Sequence, residues 1–308
     1  MTTHDVIIIG GGPAGMTAAI YAARARLDTL MIEKLFPGGQ LMISDYIENY
    51  PGFATGVTGP ELSAQMREQA EKFGMETLLG EVESVDLAGP EKVIRTSEGE
   101  VRGRTVIIAA GATPRRLNVP GESELLGRGV SYCATCDGAF FKDKDLMVVG
   151  GGDTAVEDSV FLTKYARKVT IAHRRDAFRA AKIIQERALA NPKIEVLWNT
   201  VVVRIEGNHA VQNVTLKNVL DNSVTEMPMD GIFVLIGAEP DLRFLGGAVE
   251  TDEAGYVIAD ENMNTSVPGV YVAGDIRKKS LRQIVTACAD GAVAAMSAEK
   301  YIEAQKQV

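Results

Sequence analysis

The chain repeats itself. Stretches within residues 6–34 (VIIIGGGPAGMTAAIYAARARLDTLMIEK) and 147–175 (MVVGGGDTAVEDSVFLTKYARKVTIAHRR) superpose without gaps at an offset of 140, which lays Gly10, Gly11 and Gly12 on Gly150, Gly151 and Gly152. Each copy reads apolar strand, glycine turn, helix, strand. Five apolar runs end in glycine, beginning at Val6, Val106, Leu146, Phe233 and Val270. A run apolar on both alternations must be covered on both faces, which is the pattern of a parallel strand. Helical patterns lie between several of them, including Met16–Ala25 and Thr154–Ala166. Strands alternating with helices predict an α/β fold with two doubly wound sheets.

Two stretches, 81–105 and 194–230, alternate instead like antiparallel meanders, so each domain is expected to carry a small antiparallel sheet of its own. Glycine and proline cluster at 111–121 and 237–247, where domain seams are expected. The predicted organisation is a first domain in two parts, 1–113 and 242–308, interrupted by a second domain over 114–241. A chain of 308 residues is long enough for two cores. Its net charge of -9 argues against nucleic acid as a partner. No run approaches the roughly 18 apolar residues of a membrane helix, and the N-terminus lacks a basic signal region. Three cysteines without framework spacing do not suit a disulphide-stapled secreted fold, so a cytoplasmic protein with no membrane partner is expected.

In the first copy, Gly10-x-Gly12-x-x-Gly15 follows a strand and opens a helix. The first glycine permits the turn, the second lets a pyrophosphate approach the backbone, and the third lets helix and strand pack closely. The helix N-terminus offers free N–H groups to phosphate. Glu33 closes the second strand, where a carboxylate accepts from a ribose diol. Both copies are therefore read as nucleotide-binding, Rossmann-like units. The second reads Gly150-x-Gly152-x-x-Ala155, and its counterpart of Glu33 is His173, followed by Arg174 and Arg175. Guanidiniums there suit an adenosine 2′-phosphate, with Arg179 read as one helical turn further on, so NADPH is expected over NADH. Asp275, at the end of the strand in TSVPGVYVAGDI, suits the ribityl and phosphate region of a flavin, which places FAD in the first site.

Cys133 and Cys136 stand in YCATCDG. Such a pair can form a reversible disulphide, bind a metal or fill a core. Zinc wants four ligands, and the sequence offers one pair, a distant Cys288 and three scattered histidines. Asp137 is open to two readings: a proton carrier for the pair, or a cap on the turn beginning GAFF.

Taken together, GGGPAG, GGQL (38–41), ENYPGF (48–53), CATCDG (133–138), GGGDTAVED (150–158), HRRDAFRA (173–180), VAGDI (272–276) and RQIVTACADG (282–291) resemble the low-molecular-weight bacterial thioredoxin reductases. The resemblance spans essentially the whole chain. It implies a homodimer in which an NADPH domain interrupts an FAD domain. It implies FAD contacts from Gly10, Gly12, Pro13, Ala14, Gly15, Glu33, Gly39, Gln40, Leu41, Asn49, Val82, Ala110, Gly111, Gly274, Asp275, Arg282, Gln283 and Ile284. For NADPH it implies Gly152, Asp153, Thr154, His173, Arg174, Arg175, Arg179, Ile236 and Gly237. Cys133 and Cys136 resemble the redox-active pair, and Asp137 the acid that exchanges protons with it. Cys288, within the helical pattern Ile284–Ala295, is a local departure and reads as a small buried apolar side chain.

The expected reaction passes electrons from NADPH through FAD to Cys133–Cys136 and then, by thiol–disulphide exchange, to thioredoxin. Because the cysteines and the arginines lie in the inserted domain and the flavin in the other, a rotation about 111–121 and 237–247 is expected. Three rival readings keep much of the pattern: a reductase serving a peroxidase system, a ferredoxin-linked variant, and a non-catalytic flavin or nucleotide sensor. The first carries an added N-terminal redox domain, the second lacks the second glycine fingerprint and its arginines, and the third needs no vicinal thiols.

Overall fold

The computed structural model describes residues 3–44, 47 and 49–306; Glu48 of the ENYPGF stretch lies outside them. The chain divides into two compact units, one of residues 1–113 with 239–308 and one of Pro114–Ala238. The second seam falls three residues before the expected one.

The first unit opens with β1 (Thr3–Ile9), α1 (Pro13–Arg24), β2 (Thr29–Glu33), α2 (Gly59–Lys72), β3 (Glu76–Leu79), β4 (Val82–Asp86), β5 (Lys92–Thr96) and β6 (Gly99–Ile108). Helix α1 starts where Pro13 takes the first turn, a position whose N–H is unsatisfied in any helix. Thr58 caps α2 by accepting from the Glu61 amide at 3.3 Å. The chain crosses at β7 (Thr113–Pro114) into the second unit, which holds β8 (Val130–Ser131), α3 (Ala134–Asp137), β9 (Asp145–Val149), α4 (Asp153–Leu162), β10 (Lys168–Ala172), α5 (Lys182–Leu189), β11 (Ile194–Leu197), β12 (Thr200–Glu206), β13 (Asn213–Asn218), β14 (Val224–Pro228) and β15 (Gly231–Val234). It crosses back at β16 (Ala238–Glu239), which pairs with β7, and completes the first unit with β17 (Val270–Val272) and α6 (Ile284–Lys306).

In the first unit seven strands form one sheet in the order β3-β2-β1-β6-β5-β4, with β17 also on β6. β1 runs parallel to β2 and β6, in register Ile8 with Met31 and with Ile107. In the second unit β11-β10-β9-β15-β8 are all parallel and β12-β13-β14 form a separate antiparallel sheet. The period-two alternation sends Val6 and Ile8 into one core and Ile7 and Ile9 into another. Leu146 and Val148 likewise part from Met147 and Val149. Helices cover one side of each parallel sheet; in the second unit the β12–β14 sheet covers the other.

Several local readings change. The first meander is not a free-standing sheet, because ten-residue β6 runs on into the parallel sheet and pairs β5 with its first half and β17 with its second. Residues 194–197 belong to the parallel sheet as β11, so the second meander begins at Thr200. The span 173–181 is not helical, so Arg179 is not a helical turn beyond Arg175; the Arg179 amide is drawn instead to the Gly151 carbonyl at 2.7 Å. Helix α6 continues beyond Ala295 to Lys306. No helix among the described residues is long and apolar enough to cross a membrane.

Candidate functional site

Parallel strands end together, so the loops after β1, β2, β6 and β17 gather at one sheet edge, where ligands of open α/β sheets bind. Gly10 has φ +106°, and a Cβ on it would lie 2.5 Å from the Ala109 carbonyl oxygen. A Cβ on Gly15 would lie 1.9 Å from the Gly10 oxygen, so only glycine lets α1 start this close to β1. Nothing stands within 4 Å of a Cβ on Gly12, and the turn is open there above the α1 N-terminus, with Pro13 and Ala14 behind it.

Glu33 does more than await a ribose. Its Oε2 accepts from the Gly11 amide at 2.7 Å and its Oε1 from the Leu35 amide at 3.2 Å, which holds the turn in shape. Gly39, Gln40 and Leu41 lie on a 3-10 turn beside it, with the Gly38 amide on the Gly11 carbonyl at 2.7 Å. Gln40 is exposed and Leu41 buried. Val82 opens β4 just after Gly80, whose amide bonds Glu33, and Ala110 and Gly111 follow β6.

The segment after β17 is built around a charge cluster. Gly274 lies against α1, with Asp275 half-buried beyond it. The Asp275 Oδ1 is buried, and the Lys279 ammonium stands 3.4 Å from it as its ion-pair partner. Burial pushes the Asp275 carboxyl above its usual range, against the opposing pull of Lys279 and Arg282. Arg282 stacks 4.0 Å from the Tyr256 ring, and Asn49 Nδ2 donates to Gln283 Oε1 at 3.0 Å, just before α6 opens at Ile284. A glycine cradle with open space at Gly12 and a buried, cation-flanked carboxylate after β17 fit a large polar group such as FAD. Cys288 is half-buried and in polar contact, with Tyr50 Oη at 3.6 Å; burial and that contact push the Tyr50 phenol up to about 12.

In the second unit the turn repeats this design. Gly152 precedes α4 and is open, with Asp153 and Thr154 exposed at the helix start. Ile236 and Gly237 follow β15. Arg174, Arg175 and Arg179 are exposed, whereas His173 is buried beneath the turn. The two cysteines occupy a short turn on the same unit. Cys133 and Cys136 are bonded as a disulphide across α3, with Cα atoms 5.3 Å apart, and Cys133 Sγ accepts from the Cys136 amide at 3.2 Å. Both are half-buried, as is Asp137. The Asp137 side chain does not cap the turn that follows. Its Oδ2 accepts from Ser131 Oγ at 2.6 Å, and that hydroxyl in turn accepts from the Cys133 amide at 3.0 Å.

A family model for pyridine nucleotide-disulphide oxidoreductases matches residues 4–291. The thioredoxin reductase of Peptoclostridium acidaminophilum is 52% identical over 307 residues, covering 98% of both chains. The chain belongs to the pyridine nucleotide-disulphide oxidoreductase family. Among solved structures, Streptococcus pyogenes thioredoxin reductase is 48% identical with a TM-score of 0.92, covering 98% of this chain and 99% of that one. Lactococcus lactis thioredoxin reductase in the FR conformation is 47% identical with a TM-score of 0.68 at the same coverage. From this membership follow an enzyme of the oxidoreductase class, FAD and NADPH as its cofactors and a disulphide as its redox centre.

Sequence reasoning missed several residues that shape these sites. Asp290, 5% exposed, accepts from Gly274 N, Arg277 and Lys279 at 2.8–3.1 Å and so anchors the Asp275 segment to α6. Glu122, 1% exposed, accepts from the Leu117 and Asn118 amides and from Tyr132 Oη, beside Cys133. Ser131 went unnoticed altogether. Only Asp290 left a trace, as a carboxylate within the apolar stretch TACADGAVAA.

Proposed function

We propose that this chain transfers reducing equivalents from NADPH to the active-site disulphide of thioredoxin, and that they leave it through Cys133 and Cys136. The observation that carries the reading is a bonded C-x-x-C pair on a half-exposed turn, in the same unit as the second glycine loop. It stands in a chain half identical, over nearly its full length, to a thioredoxin reductase.

Bound at the first turn, FAD supplies a two-electron relay between nicotinamide and disulphide. The Gly10–Gly15 turn and the start of α1 would hold its pyrophosphate through N–H groups, Glu33 would accept from its ribose, and Asp275 would meet the ribityl chain. At the second turn Gly152 and Thr154 meet the NADPH pyrophosphate, and Arg174, Arg175 and Arg179 take the 2′-phosphate as charge-assisted donors. Asp137, held by Ser131, passes a proton to the sulfur released when the disulphide opens. The reduced pair then gives up two electrons and two protons. One thiolate attacks a partner sulfur to form a mixed disulphide, and the second displaces the partner as a dithiol and restores the Cys133–Cys136 bond.

We also place the active protein in the cytoplasm as a homodimer and assign its cycle a rotation of one unit against the other. The rotation is called for because the Cys133–Cys136 pair and the second glycine turn lie in the inserted unit and the first glycine turn in the other. Following NADPH loss with oxidised thioredoxin tests the chemistry. Cys133→Ser and Cys136→Ser should each abolish thioredoxin reduction while NADPH still bleaches the bound flavin anaerobically. Either variant retaining thioredoxin reduction would end the proposal.

A further inference from the structure

The loop bearing the three arginines is tied down by contacts that involve none of their side chains. His173 lies beneath the glycine turn, so close that a Cβ on Gly151 would fall 2.3 Å from its ring. Burial lowers its pKa against the opposing pull of backbone hydrogen bonds to Ala177 and Gly150, and Nε2 reaches the Ala177 carbonyl at 3.1 Å. A carbonyl can only accept, so a proton sits on Nε2. The Arg179 amide donates to the Gly151 carbonyl at 2.7 Å, and the Ala181 amide donates to Asp153 Oδ1, also at 2.7 Å. From the far side the Asn199 amide bonds the Arg175 carbonyl at 3.1 Å. The loop has no regular structure before α5 begins at Lys182. Among the described residues the Arg174, Arg175 and Arg179 guanidiniums make no hydrogen bond or ion pair, so their placement depends on the backbone beneath them.

The resemblance groups Asp153 and His173 with the groups that touch nucleotide. We propose instead that Asp153 is a specificity-determining residue acting through the arginine loop. Standing at the first position of α4, its carboxylate anchors the loop at Ala181 and sets where the guanidiniums stand relative to the open turn at Gly152. His173 is a positioning residue that supports the same loop from below. The inference rests on the reading that these arginines take a 2′-phosphate.

Electrostatics alone predicts the opposite sign. A carboxylate at the mouth of a phosphate site repels the dianion, so its removal should favour the 2′-phosphate. Asparagine and alanine separate the two effects, because asparagine discards the charge and keeps an acceptor, whereas alanine discards both.

The test uses the FAD-loaded enzyme and calorimetric titration with adenosine 2′,5′-bisphosphate and 5′-AMP, which differ only in the 2′-phosphate and do not report on the flavin. Asp153→Ala should weaken the bisphosphate about fivefold, the equivalent of one hydrogen bond worth about 1 kcal/mol, and leave 5′-AMP within about twofold. Asp153→Asn should match or exceed the parent. The NADPH-to-NADH ratio of kcat/KM should move in the same direction. Alanine and asparagine behaving alike, or both ligands weakening together, would overturn the proposal. Arg174→Ala and Arg175→Ala serve as controls. If they leave the bisphosphate preference intact, the reading of the arginines fails and this inference with it. If they abolish it while Asp153→Ala changes nothing, the inference alone fails.

Discussion

Asp290 lies in a helix among alanines and glycine, with its side chain 7% exposed and held by Arg277 and Lys279. Burial on its own would raise its carboxyl pKa, but the two cations outweigh it and hold it below the usual range. A carboxyl with a depressed folded pKa stabilises the fold at pH above its unfolded value near 4 and loses that contribution as pH falls through the folded value. Asp275, raised by burial, works in the opposite sense, and its contribution is lost as pH rises. The difference between parent and variant reports Asp290 together with its effect on Asp275, which shares Lys279 with it. Asp290→Asn should cost about 3 kcal/mol in urea unfolding at pH 7, because it leaves buried cations short of a partner. The deficit should shrink below about pH 4; an unchanged deficit at acid pH would show that the ion pairs do not set it. The partners of Asp290 stand 11 and 13 residues away on an irregular segment, so no periodicity could have disclosed them.

At the scale of elements, α1 and α6 pack through small residues: Ala14, Ala18 and Ala22 on one, and Ala287, Gly291, Ala294 and Ala298 on the other. A Cβ on Gly291 would lie 2.1 Å from the Ala14 carbonyl oxygen and 3.0 Å from the Ala18 amide. In an exposed helix, glycine to alanine gains about 1 kcal/mol. Here Gly291→Ala should instead cost about 1–3 kcal/mol by forcing the helices apart. Because Ala14 belongs to the first turn of α1, the variant should also lose FAD more readily on desalting. A rise in melting temperature would contradict so close a contact.

The apolar runs bounded by glycine could be read directly, since burial on both faces leaves a continuous signal at Val6, Val106, Leu146, Phe233 and Val270. Two-residue β8 and four-residue β11 could not, because short strands take their identity from the neighbour they join. The glycine fingerprints, Glu33 and the cysteine pair were legible for the same local reason: each needs its residue type at a fixed spacing. The contact from Ser131 to Asp137 had no such spacing rule behind it, and the pinning of the arginine loop depends on a backbone path that only the packed turn defines.

For the whole molecule, both chain crossings run through the β7–β16 pair, and the Arg115 amide bonds the Gly237 carbonyl at 2.9 Å beside it. If the cycle needs one unit to turn against the other, a short chemical cross-link between segments 111–121 and 237–247 should stop multiple turnover and leave FAD bound. Turnover that persisted in fully cross-linked protein would remove the rotation from the mechanism.

The interruption of one unit by the other also bears on synthesis. A ribosome delivers β1, α1 and β6 early, then every strand of the inserted unit, and only at the end α6, which covers the alanine face of α1. A nascent chain therefore carries an unsealed apolar surface through most of its translation. A message cut short before Ile284 would yield the disulphide turn intact, tethered to a flavin fold that lacks its closing helix.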